Sequence, residues 1–157
     1  MTSHISASEE DTRRLGADLA RRLSPGDVVL LEGELGAGKT AFVKGLAAGL
    51  GLDPDDVSSP SFALVHEYGP AGTPPTLVHV DLFRLPGGEA PVLDLGLDEQ
   101  GSATLAVEWP RPPLTKRRAW HVALRIEPDG SRTIDVEPPG IRPSSSVRVR
   151  RRRPGRP

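Results

Sequence analysis

The chain has 157 residues, 36% of them hydrophobic, 26% charged and 4% aromatic. That suits one domain and a tail, with a core packed by Leu, Val and Ala rather than by rings. The absence of cysteine excludes disulfide scaffolds, Cys-bound zinc, iron–sulfur clusters and thiol catalysis, and fits a cytoplasmic protein. The net charge of −1 divides into seven arginines and no acid over 141–157 and a body of net −8 over 1–140. The purest apolar run, 28–31, has four residues against the roughly 18 of a membrane span, so no membrane partner is expected. The first residues have neither a basic leader nor an apolar segment, which predicts no secretory signal.

Seventeen glycines and seventeen prolines predict short elements and frequent loops. The first predicted element is a helix over 9–23, capped by Ser8, with Thr12, Leu15, Leu19 and Leu23 on one face. Ser24-Pro25-Gly26-Asp27 reads as a turn, and 28–31 as a buried strand. After a glycine-rich loop comes a helix over 39–50, with Phe42, Val43, Leu46, Ala47 and Leu50 on its apolar face and Gly49 and Gly51 as stops. Strands are predicted over 62–68, 76–80, 103–108, 120–126 and 133–136, with a helical turn within 93–99 and a proline break after Glu108. The pattern is α/β, with a sheet of mixed direction. From 138 onward Pro, Ser and Arg dominate, and a disordered tail is expected over 138–157 after a domain of 1–137.

Between strand and helix, Gly33-Glu34-Leu35-Gly36-Ala37-Gly38-Lys39-Thr40 matches the phosphate-loop pattern. Glycines let successive amides turn toward phosphate oxygens, and the following helix adds its positive end. Lys39 supplies a full charge and Thr40 a hydroxyl for Mg²⁺. Gly33 through Ala41 are therefore candidate nucleotide-binding residues, with ATP and Mg²⁺ the expected ligands. Hydrolysis also needs an acid at a strand end. Asp81 and Glu108 each follow an apolar run, and with Lys39 they are the candidate catalytic residues.

These motifs, with Ser59-Pro60-Ser61-Phe62, His79-Val80-Asp81-Leu82-Phe83-Arg84-Leu85 and Val107-Glu108-Trp109-Pro110, together resemble the TsaE (YjeE) family of small bacterial P-loop ATPases over residues 5–137. The resemblance implies a P-loop NTPase-like three-layer sandwich with a mixed parallel/antiparallel sheet. It implies a role in making N6-threonylcarbamoyladenosine at position 37 of tRNA, beside the transferase TsaD and its partner TsaB, without performing the transfer. It further implies that Thr40 and Glu108 hold Mg²⁺, that Asp81 sits by the metal or positions the water, that Trp109 lies close to the nucleotide, and that Thr12 and Arg132 contact ATP. Ser61, Phe83 and Arg111 depart from the family pattern, and the arginine tail lies outside it.

Each further residue has two readings. Ser58, Ser59 and Ser61 form either a switch loop or a plain turn. His66 is expected on the surface. His79 either tunes Asp81 or simply packs. Arg84 pairs with a phosphate or partner acid, or forms a surface ion pair. The tail either touches tRNA phosphates through counterion release or is merely solvated. Two rival functions use the same loop: a small-molecule kinase, and a nucleotide-dependent binding module without useful hydrolysis.

Overall fold

The computed structural model describes residues 1–59, 64–88, 91, 95–111 and 117–140. Nine regular elements are built from them: β1 (Thr2–Ser6), α1 (Glu9–Ala20), β2 (Val28–Glu32), α2 (Lys39–Gly49), β3 (Val65–Tyr68), β4 (Leu77–Asp81), β5 (Thr104–Glu108), β6 (Ala119–Ile126) and β7 (Arg132–Glu137). Short 3-10 turns occupy Pro54–Asp56 and Leu97–Glu99.

The strands form one sheet in the order β1-β7-β6-β2-β5-β4-β3. Its centre is parallel, β6-β2-β5-β4, and β3, β7 and β1 join antiparallel at the flanks. Central parallel strands are covered on both faces, which is why β2 reads as an unbroken apolar run. Val29 and Leu31 face α1 and α2, in a core with Phe42, Leu46, Leu77 and Ala106. Val28 faces the opposite side with Val78, Val80, Leu105 and Val107. That side is covered, among the described residues, by Leu82, Leu85, Leu95 and Leu97.

Two helices cover the first face because they approach very closely. A Cβ on Gly45 of α2 would lie 2.0 Å from the Arg13 carbonyl of α1, and one on Gly16 would lie 2.2 Å from the Phe42 carbonyl. Gly49, expected as a helix stop, takes part in the same contact: its Cβ would meet Ala20 Cβ at 2.5 Å. The stop is Gly51, at φ +85.

Ser8 caps α1 as expected, accepting from Asp11 N–H, and the turn over 24–27 closes by Asp27 N–H donating to Ser24 O. The helix ends at Ala20 rather than at 23. The strand β1 was not expected: Thr2-Ser3-His4-Ile5-Ser6 has a single large apolar side chain, and Ile5 is 69% exposed. Its formation rests on backbone pairing with β7, a contact 130 residues away in sequence. His66 is half-buried rather than on the surface and shares a hydrogen bond with the Tyr68 hydroxyl (3.1 Å). Of the expected strand 62–68 and turn 93–99, residues 62–63 and 93–94 lie outside the described residues, as does the tail from 141.

Alanine normally exceeds glycine in a helix by about 1 kcal/mol. At position 45 the overlap with backbone reverses that sign, and Gly45→Ala is expected to destabilise by about 1–3 kcal/mol in urea unfolding. Gly87→Ala, where a Cβ meets nothing within 4 Å, should stay within about 0.5 kcal/mol of wild type.

Candidate functional site

The parallel registers bring strand ends level. Leu31 pairs with Glu108, and Glu108 pairs with Asp81. Because side chains alternate, Glu108, Asp81 and His79 all fall on the face that carries α2. The chain leaves β2 into the glycine loop and enters α2 directly above these ends. A cleft of about 500 Å³ opens there, at the carboxyl ends of the parallel strands.

The loop turns through Gly36 (φ +80) and Gly38 (φ +104), conformations that a side chain would strain. The first helical bond runs from Phe42 N–H to Gly38 O (2.9 Å). The amides of Gly38, Lys39, Thr40 and Ala41, all lining the cleft, are thus the four that a helix start leaves without an intrahelical acceptor. Lys39 is 5% exposed, and its Nζ donates to the carbonyls of Gly33 and Glu34, the latter at 2.9 Å. Burial pushes the Lys39 ammonium below its ordinary pKa, opposed by the charges of Glu108, Asp81 and Glu34. The Trp109 ring lies against the same ammonium, 4.2 Å from ring centroid to Nζ, and the Phe83 ring packs on Trp109 at a 42° tilt, with centroids 4.8 Å apart. Trp109 adopts φ +56, uncommon for a bulky residue.

Thr40 Oγ1 donates to Glu108 Oε1 (3.3 Å), and His79 Nε2 meets Glu108 Oε2 (2.8 Å). Glu108 is 3% exposed. Asp81 is half-buried, with Oδ1 accepting from Phe83 N–H (2.9 Å). Burial raises the Asp81 pKa, and the charge of Glu108 adds to the effect. A ring of amides and one ammonium can receive a polyphosphate. The hydroxyl and the two carboxylates are hard oxygen donors. Among the described residues no three or more His, Cys, Asp or Glu side chains gather into a metal cage. That donor set fits Mg²⁺, which is held by one or two carboxylates plus phosphate oxygens, and two acids facing one lysine leave negative charge to neutralise.

The expected site residues largely converge. Thr12, Leu35, Gly36, Ala37, Gly38, Lys39, Thr40, Ala41, Asp81, Glu108, Trp109 and Arg132 line the cleft. Gly33 and Glu34 do not; they serve the loop from behind, as acceptors for Lys39. Thr12 is buried and shares a hydrogen bond with Ser6 Oγ (2.7 Å). Arg132, expected at ATP, donates to the loop itself, Nε to Ala37 O (3.2 Å) and Nη2 to Gly36 O (3.1 Å). His79, read as either tuning Asp81 or packing, is hydrogen-bonded to Glu108, and its charge is also among the influences that lower the Asp81 pKa. Ser59 reaches the cleft, whereas residues 60 and 61 of the expected switch loop lie outside the described residues. Arg84 is exposed and does not line the cleft. Arg111 donates to the carbonyls of Leu85 and Pro86, tying the segment after β5 to the one after β4. The wall formed by Ser6, Ala7, Ser8 and Glu9 was missed, because it depends on β1. No local signal announces it.

A sheet with a parallel centre, fed into a helix through this glycine loop, defines a P-loop NTPase-like α/β protein. The family described as threonylcarbamoyl adenosine biosynthesis protein TsaE matches residues 6–134. The chain belongs to the TsaE family. It is 42% identical over 116 residues to the tRNA threonylcarbamoyladenosine biosynthesis protein TsaE of Streptomyces coelicolor, covering 73% of this chain and 78% of that one. With its counterpart from Treponema pallidum the identity is 39% over 136 residues, covering 84% and 97%. The crystal structure of YdiB from Bacillus subtilis superposes with a TM-score of 0.67 at 31% identity, over 88% of this chain and 86% of that one.

Asp81 provides a pH test. A carboxyl whose folded pKa is raised contributes stability below its ordinary value of 3.8 and loses it as pH climbs through the folded value. Asp81→Asn keeps the acceptor for Phe83 N–H and removes the desolvated charge. The ligand-free variant should therefore melt above wild type at pH 7, with the advantage shrinking as pH falls toward 4 in thermal unfolding.

Proposed function

We propose that this chain is a Mg²⁺-dependent ATPase that serves tRNA N6-threonylcarbamoyladenosine synthesis in the cytoplasm. It acts beside TsaD and TsaB and does not carry out the transfer itself. Membership of the TsaE family supports the pathway. The reading of the chemistry rests on one observation: Thr40 at the head of α2 and Glu108 at the end of β5 meet at 3.3 Å beneath a ring of unpaired amides.

In this reading the amides of 38–41 and Lys39 bind the phosphates. Lys39 leaves the carbonyls of Gly33 and Glu34 and the Trp109 ring for phosphate oxygens, exchanging neutral partners for charged ones. Thr40 and Glu108 would hold Mg²⁺, which supplies charge neutralisation across the phosphates. Asp81, kept at the mouth by Phe83 N–H, assists the metal or orients the attacking water. The cleft is open, so water exclusion and full activity need a partner surface, and turnover alone is slow. TsaD and TsaB provide that surface, and the net −8 body favours a basic one. No helix among the described residues is long and apolar enough to cross a membrane.

Phosphate release from ATP, measured with and without purified TsaB–TsaD, tests the reading. The wild type should be stimulated by the partners. Lys39→Ala and Glu108→Ala should each lose at least about a hundredfold in kcat, the scale of one removed transition-state contact. Full activity in Lys39→Ala, or indifference to the partners, would overturn it.

A further inference from the structure

Glu108 has both oxygens engaged, and the two partners differ in kind. Thr40 Oγ1 sits at the cleft, whereas His79 lies beneath it, fully buried on the neighbouring strand and packed two residues before Asp81. Among the described residues His79 Nδ1 has no hydrogen-bond partner. That atom assigns the tautomer. A hydrogen on Nδ1 would be a buried donor without an acceptor, a cost of about 1–3 kcal/mol, and would turn the Nε2 lone pair toward a carboxylate. The hydrogen therefore sits on Nε2 and is donated to Glu108 Oε2.

This bond has a directional consequence. The last torsion of a glutamate is broad and roughly two-fold, so an unheld carboxylate spreads over many orientations. With Oε2 pinned from below, Oε1 is turned up toward Thr40 Oγ1. We infer that His79 is a positioning residue: its Nε2–H holds Glu108 so that Oε1 and Thr40 Oγ1 face one point in the cleft, where a divalent cation is taken up. The assignment rests on the functional reading above and adds to it the residue that orients its metal carboxylate. Holding a ligating group from behind in this way changes metal affinity about 10- to 100-fold where it has been removed.

The test uses the full chain and ADP as probe, by calorimetry, in EDTA and in Mg²⁺. Wild type should bind ADP more tightly with Mg²⁺. His79→Leu should lose about 10- to 100-fold of that Mg²⁺ enhancement while its affinity in EDTA stays within about twofold. His79→Gln, whose side-chain amide can present an N–H near the Nε2 position, should restore most of it. His79→Asn, whose amide falls nearer Nδ1, should not; this pair replaces the leucine variant if that one fails to fold. Nitrogen NMR of the free protein should show the His79 ring with its hydrogen on Nε2. An Nδ1–H ring, or wild-type Mg²⁺ enhancement in His79→Asn or in a folded His79→Leu, overturns the assignment alone. A wild type that binds no ADP in either buffer overturns the functional reading and the assignment with it.

Discussion

The contact between Thr40 and Glu108 joins the two halves of the structure. One residue starts a helix and the other ends a strand 68 positions later in sequence, yet they meet at 3.3 Å. What makes them meet is the parallel register: β2 leads into the loop and α2, and β5 runs beside β2 with Glu108 level with Leu31. A carboxylate this buried is costly unless it is paired or hydrogen-bonded. Thr40 and His79 provide that, and the charge left on Glu108 and Asp81 makes the cleft receptive to a cation.

A second constraint comes from how closely α1 approaches α2. The glycine contact at 16 and 45 brings the two backbones together, which seats Thr12 over Gly38. It also brings the start of α1 and the end of β1 into the cleft wall. From the other side, the β6–β7 hairpin reaches the loop through Arg132, whose guanidinium holds the carbonyls of Gly36 and Ala37. Ala37 N–H closes the loop from within by donating to Glu34 O (3.0 Å). The loop's shape is therefore set by its neighbours as much as by its own glycines.

The site departs locally from what stability alone favours. It contains a buried lysine, a buried glutamate, a tryptophan at positive φ and an imidazole nitrogen with no partner among the described residues. Each is tolerated because the surrounding sheet is apolar on both faces and over-determines the geometry. Strain and unfinished charge concentrated at one mouth of a well-packed sheet mark where ligand binding can recover free energy.

The sequence by itself determined the loop, the two helices, the buried apolar run of β2 and the two strand-end acids. Those signals are local: glycine spacing, apolar periodicity and a carboxylate after a hydrophobic run are all written within a few residues. The tertiary structure alone decided the rest. That β1 exists depends on a partner strand at the far end of the chain, since its own side chains are polar or exposed. That Gly49 is a packing surface rather than a stop depends on a helix it meets only on folding. Which acid His79 serves depends on register, because a residue two positions from Asp81 on one strand lies diagonally across from Glu108 on the next. Periodicity tells which face a side chain occupies, but its partner on that face is set by long-range pairing that no short window contains.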